Sequence, residues 1–136
     1  MAELVAIVTW LTSQGYRCIA SPPREPRVAY ICLKNKFPQT AYVAKLYANA
    51  DRLTRVDAYV ELAREPFDLD ACVEQIAALA RLPYAGARGD EAYSWIKNHR
   101  STQSAGRAMQ FGSLRYSFQI DNVTPGLTIE VIEPTK

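Results

Sequence analysis

The stretch that most constrains this chain runs from Arg107 to Ile132, because Phe111-Gly112-Ser113-Leu114 joins two alternating segments through a turn of only two residues. Glycine at the first central position suits a type II′ turn, whose twist matches that of the flanking strands. That turn sets Phe111 opposite Leu114, Met109 opposite Tyr116 and Arg107 opposite Phe118. A second reversal is expected through Thr124-Pro125-Gly126-Leu127, where proline and then glycine fit a type II turn. It places Ile120 opposite Leu127, Phe118 opposite Ile129 and Tyr116 opposite Val131. Three strands then share one apolar face. A one-residue slip would carry Leu114, Tyr116, Phe118 and Ile120 into water, so the register is strongly specified.

A chain of 136 residues fits one domain, 1-136, with one ordinary core. Sixteen basic against fourteen acidic residues leave a net charge of +2, too little for the overall field to imply a nucleic-acid or membrane partner. No window reaches the ~20 apolar residues of a membrane span. The run Leu4 to Leu11 is short and follows Glu3, unlike a signal peptide. If the protein is exported, its leader lies outside this chain.

Taken in order, Leu4, Ile7, Val8 and Leu11 recur at helical spacing, and Gly15 supplies a stop. Tyr16 to Ala20 and Arg27 to Leu33 read as a hairpin around a Pro22 to Pro26 turn. If Ala20 faces Tyr30, Cys18 lies opposite Cys32 on the same face. Val43, Leu46, Tyr47 and Ala50 predict a helix after Pro38. Val56, Ala58, Val60 and Leu62 alternate with Arg55, Asp57, Tyr59 and Glu61 and predict a half-buried strand. Asp68 is a helix cap, with Leu69, Val73, Ile76 and Ala80 giving the buried face that ends before Pro83. Asp90 is read as a second cap, with Ala92, Trp95, Ile96 and His99 on one helical face and Trp95 in the core. The pattern is α+β: a single domain with an antiparallel sheet, a C-terminal three-stranded meander and about four helices packed mainly on one face. Arg115, Ser117, Gln119, Thr128 and Glu130 are left toward solvent or a partner.

Reactive side chains do not assemble into a known pattern. Cys18, Cys32, Cys72 and His99 are the residue types of a zinc site, but they lack the paired spacing of a zinc knuckle and come from four separate elements. No metal and no cofactor is expected. Cys72, between Ala71 and Val73, reads as a packed thiol rather than a nucleophile activated by His99. Asp57 and Glu61 share a strand face about 13 Å apart, too far for two-carboxylate chemistry without a further partner. Asn122-Val123-Thr124 matches a glycosylation sequon and equally a turn. The run Lys97 to Ser104, with Arg107 beyond it, carries charges suited to phosphate, but no nucleic-acid-binding motif accompanies them.

The helix ending in Gly15-Tyr16-Arg17-Cys18, the second cysteine Cys32, and Leu82-Pro83-Tyr84-Ala85-Gly86-Ala87 followed by Ala92 and Trp95 resemble small uncharacterised domains of bacterial exported proteins and lipoproteins. Phe111-Gly112 and the closing strands extend the resemblance over most of the chain. It implies an extracytoplasmic setting and a Cys18 to Cys32 disulfide, and it carries over no catalytic or ligand-binding residue. This chain departs from such proteins in showing no signal or lipobox cysteine; without export, a cytoplasmic setting follows.

The leading expectation is a noncatalytic binding or protein-interaction domain for a protein or small ligand, with Cys18 and Cys32 bridged and Cys72 a buried thiol. The alternative is a nucleic-acid-binding domain using Lys97, Arg100, Arg107 and Arg115. An enzyme of unrecognised type stands third.

Overall fold

The structure, a computed structural model, describes residues 3–20, 28–36, 40–49, 52–63, 69–98, 107–121 and 124–132. Helix α1, Glu3–Ser13, is followed by four strands: β1 Arg17–Ala20, β2 Val28–Lys36, β3 Thr40–Asn49 and β4 Arg52–Ala63. Helix α2, Leu69–Ala78, tightens into a 3₁₀ turn at Leu79–Arg81, and α3, Gly89–Asn98, precedes β5 Arg107–Phe111, β6 Leu114–Asp121 and β7 Thr124–Val131. The strands form one antiparallel sheet in the order β1-β2-β3-β4-β7-β6-β5. Two meanders, β1 to β4 and β5 to β7, therefore meet where β4 pairs with β7.

Helix α1 buries Leu4, Ile7 and Leu11 and stops at Gly15, whose φ of 98° is open to glycine at little cost. Tyr16 N–H donates to Leu11 O and Gly15 N–H to Thr12 O, each at 3.0 Å, which closes the helix end in a Schellman motif. Lys34, from β2, donates Nζ–H to Gln14 O at 2.8 Å, placing a cation at the negative end of the helix.

The expected hairpin of β5 and β6 has the predicted register, with Arg107 opposite Phe118, Met109 opposite Tyr116 and Phe111 opposite Leu114. Gly112 sits at φ 65°, and the carbonyl of Gly86 approaches so closely that a Cβ there would collide with it. Ser113 N–H donates to that carbonyl at 3.0 Å and Ser113 Oγ–H to Ala85 O at 2.8 Å, so the turn is docked onto the loop before α3.

The second reversal differs from expectation. Asp121 pairs with Thr124, and Pro125 and Gly126 belong to β7 rather than to a turn; residues 122–123 lie outside the described residues. The register is displaced by two residues: Tyr116 faces Ile129, Phe118 faces Leu127 and Ile120 faces Pro125. A shift of two keeps each side chain on its own face, so the apolar row survives the wrong turn. Pro125 lies one residue beyond the stretch paired with β4, where a strand tolerates the missing N–H.

The helix expected over Val43, Leu46, Tyr47 and Ala50 is strand β3, with Ala50 outside the described residues. Tyr42, Ala44 and Leu46 are buried on the helix-covered side, and Val43 is buried on the other, so apolar residues of both parities imitate a helical stripe. The helix count among the described residues is thus three plus the 3₁₀ turn, rather than about four. Asp90 is not a cap either. Ala92 N–H donates to Arg88 O, which makes Arg88 the capping position and puts Asp90 in the first turn, where its charge still suits the helix dipole. Asp68, His99 and the Pro22 to Pro26 turn lie outside the described residues.

All three helices pack on one side of the sheet, in a single core with Leu46, Val56, Tyr116 and Ile129. Trp95 is at its rim rather than inside: it is half-buried against Phe111, ring centroids 5.9 Å apart, while Ala92 and Ile96 are fully enclosed.

Candidate functional site: the open face of the sheet

The face away from the helices is built by strand parity alone. Following the pairing across the sheet, one row reads Ile19, Ile31, Lys45, Asp57, Thr128, Ser117 and Ala108 from β1 to β5. A second row contains Arg17, Leu33, Val43, Tyr59, Gly126 and Gln119, and a third contains Tyr47, Arg55, Glu130, Arg115 and Gln110. Arg115, Ser117, Thr128 and Glu130 fall where the alternation predicted, exposed or half-buried; the side chain of Gln119 lies outside the description.

Lys45 and Tyr47 were not legible as members of this face, because β3 reads as a helix in the sequence. The Tyr42, Ala44, Leu46 alternation, with Lys45 and Tyr47 between, was the signal available.

Charge on this face is organised in pairs. Arg55 donates to both oxygens of Asp57, Nε to Oδ1 at 3.0 Å and Nη2 to Oδ2 at 2.8 Å. That bond first, with lesser help from Tyr47, raises the pKa of Arg55. The Arg55 guanidinium also lies 4.4 Å from the Tyr47 ring centroid, and Lys45 Nζ lies 5.9 Å from that of Tyr59. Arg115 reaches Glu130 at 3.3 Å. Toward β1 the face becomes aliphatic, with Ile19 58% exposed beside half-buried Ile31 and Leu33. Toward β5 it carries the small residues Gly126, Thr128, Ser117 and Ala108 together with Glu130, Arg115 and Gln110. No side-chain hydrogen bond joins the Ser117 or Thr128 hydroxyl to a base among the described residues.

The residues expected to meet phosphate do not share this surface. Arg115 is on the open face, whereas Lys97 is in the helix layer on the opposite side, bound to Glu74. Tyr93 donates Oη–H to the same carboxylate, 2.8 and 2.6 Å from its two oxygens, and Arg81 lies 4.0 Å from the Tyr93 ring centroid and 2.9 Å from Asp90. The Lys97 bond first, then that of Tyr93, holds the Glu74 carboxyl below its usual pKa, and Glu74 in turn raises Lys97. This cluster ties α2, the 3₁₀ turn and α3 together at the surface. Arg107 is in edge strand β5 opposite Phe118, its side chain outside the description, and Arg100 lies outside the described residues.

The cysteines divide as the hairpin register implies. Cys18 and Cys32 are opposed in β1 and β2 and joined by a 2.04 Å S–S bond, on the helix-covered side. Two of the four sulfur and nitrogen groups weighed for zinc are thereby bonded to each other. Cys72 is a buried thiol on α2 whose Sγ accepts the Tyr42 hydroxyl proton at 3.6 Å. Asp57 is held by Arg55, and the side chain of Glu61, its expected neighbour, lies outside the description. No group of three or more metal-binding side chains occurs among the described residues, and no helix of them is long and apolar enough to cross a membrane.

No protein-family model, curated protein or solved structure matches the chain.

Proposed function

We propose that this chain is a noncatalytic binding or protein-interaction domain that works outside the bacterial cytoplasm and uses the open sheet face. The observation that carries the reading is the contrast within one sheet: one side is closed by the three described helices, and the other carries paired ions, two tyrosines and the exposed Ile19, with no helix over them among the described residues. Ile19, exposed beside half-buried Ile31 and Leu33, gives the β1 end of that face an apolar edge. The Cys18–Cys32 disulfide supports an oxidising setting, since such bonds persist outside the cytosol. The resemblance to domains of bacterial exported proteins points the same way.

Photo-crosslinking in the producing cell tests the reading. A crosslinkable residue at Ser117 or Arg17, on the open face, is expected to give discrete adducts, and one at Glu91, on the helix layer, is not. Adducts from Glu91 alone, or from none of the three positions, would overturn it.

A further inference from the structure

We propose that the Cys18–Cys32 disulfide is a reducible latch: a dithiol opens it without unfolding the domain, β1 leaves the sheet, and β2 becomes a free edge. The device goes beyond the binding role of the open face and does not depend on it.

The bond lies at the margin of the fold. β1 is the outermost strand at one end of the sheet and only four residues long, Arg17–Ala20. Arg17, Ile19 and Ala20 are exposed, and only Cys18 is half-buried, packed against the rim of the core. Cys32, its partner in β2, is sealed at 0% exposure. A thiolate from solvent therefore reaches the pair from the Cys18 side, at the border of the sheet rather than through its core.

Apart from that bond, little holds the strand. The Cα atoms of Cys18 and Cys32 are 4.0 Å apart, the close spacing of an antiparallel pair that exchanges no backbone hydrogen bonds. Alternation then assigns the backbone bonds of β1 to two pairs, Arg17 with Leu33 and Ile19 with Ile31. Ordering four residues costs more than those bonds contribute net. The covalent link supplies the difference by keeping β1 beside β2. The residues just before β1 are anchored independently: Tyr16 is buried, and Lys34 of β2 holds the end of α1 through Gln14 O at 2.8 Å. Release after Tyr16 thus frees Arg17–Ala20 and leaves α1 in place.

The strand left behind is the longer one. β2 runs Val28–Lys36, and β1 pairs only with Tyr30 to Leu33. Once β1 has gone, the edge of β2 is continuous from Tyr30 to Lys36, a row of backbone donors and acceptors with which another strand can pair.

The exchange balances. One thiolate of the dithiol attacks Cys18 Sγ, forming a mixed disulfide and releasing Cys32 as a thiolate that takes up a proton. The second thiolate attacks the reductant's own sulfur in the mixed disulfide and releases Cys18, which is protonated in turn. The protein gains two thiols, the dithiol leaves as its disulfide, and the two protons are the two that the dithiol gives up.

Residue-resolved amide exchange of the full chain, with and without dithiothreitol, is the test. In the oxidised chain the amides of Ile31 and Leu33, which face β1, and that of Cys32, which faces β3, are all expected to be protected. In the reduced chain Ile31 and Leu33 are expected to lose about 100-fold or more of their protection, while Cys32 and Ala44 stay at least about tenfold better protected than those two. Cys18→Ala is expected to show the reduced pattern without reductant, and removal of dithiothreitol in air to restore the oxidised pattern in the native chain. Four results would each overturn the proposal: Ile31 and Leu33 as protected after reduction as Cys32, protection lost together across the whole sheet, a disulfide that dithiothreitol cannot reduce while the chain is folded, or Cys18 and Cys32 found unbridged in the chain before reductant is added.

Discussion

The two faces of the sheet come from the same strands and differ only in which residues of each strand point which way. On the covered side Leu46, Val56, Ile129 and Tyr116 are sealed from solvent, their positions set by packing against α1, α2 and α3. On the open side their immediate neighbours include Asp57, held by Arg55, Arg115, close to Glu130, and Lys45, near the Tyr59 ring. The lesson is that core packing and the chemistry of the open face can be altered almost separately in this chain, one residue apart.

Adjacent substitutions should break that comparison most sharply. Ile129→Ala, on the covered face, is expected to cost about 2–5 kcal/mol, whereas Thr128→Ala beside it should stay within about 0.5 kcal/mol. Urea midpoints for the two variants decide it; equal losses would mean the open face is packed as tightly as the covered one.

The disulfide comes next. Cys18 and Cys32 are 14 residues apart in sequence and tie edge strand β1 to β2. Closing a loop of that length stabilises the fold by roughly 3 kcal/mol. Reduction should lower the denaturation midpoint accordingly. Nonreducing peptide mapping of protein never exposed to reductant should recover the two cysteines in one linked pair of peptides, and two separately alkylated peptides would contradict the bond.

Alkaline pH probes the covered face through two tyrosines. Burial pushes both Tyr16 and Tyr116 from the ordinary 10.0 up to about 12. Tyr116 donates Oη–H to Ala80 O at 3.3 Å; Tyr16 Oη lies near Gln75, which lowers its pKa slightly, but makes no hydrogen bond of good geometry among the described residues. The folded state holds these protons more tightly than the unfolded chain. Their contribution is therefore complete below pH 10 and is lost as pH climbs toward 12, about 2–3 kcal/mol for each. Tyr116→Phe should flatten that alkaline slope without abolishing it.

The smallest effect is expected on the open face itself. Arg115 and Glu130 are exposed, so Arg115→Ala should change stability by less than about 1 kcal/mol. A larger loss would show that the surface ladder braces the sheet.

What could be read in advance depended on how local the determining interaction was. The β5–β6 register was legible because Gly112 and Ser113 leave room for one loop length. The β6–β7 turn was misplaced by the Pro125-Gly126 pair, yet the apolar alternation kept every residue on its proper face. Strand β3 was missed because Val43 is buried opposite to Tyr42 and Ala44, which erases the two-residue period. The third row of the candidate site was partly hidden for a longer-range reason. The pair Tyr47 and Arg55 and the pair Glu130 and Arg115 join into one row only when β7 inserts beside β4, and nothing near those residues announces that pairing.

That insertion also has a consequence for synthesis. The strand that joins the two meanders, β7, is the last of the seven described strands to be synthesised, though it lies inside the finished sheet between β4 and β6. Until residues 124–131 emerge, β4 displays an unpaired edge of backbone donors and acceptors, and the β5–β6 hairpin has no neighbour beside β6. A nascent or truncated chain that ends before Thr124 therefore offers a strand-shaped vacancy that another polypeptide can fill. At ~5–20 residues per second the delay between β4 and β7 lasts several seconds.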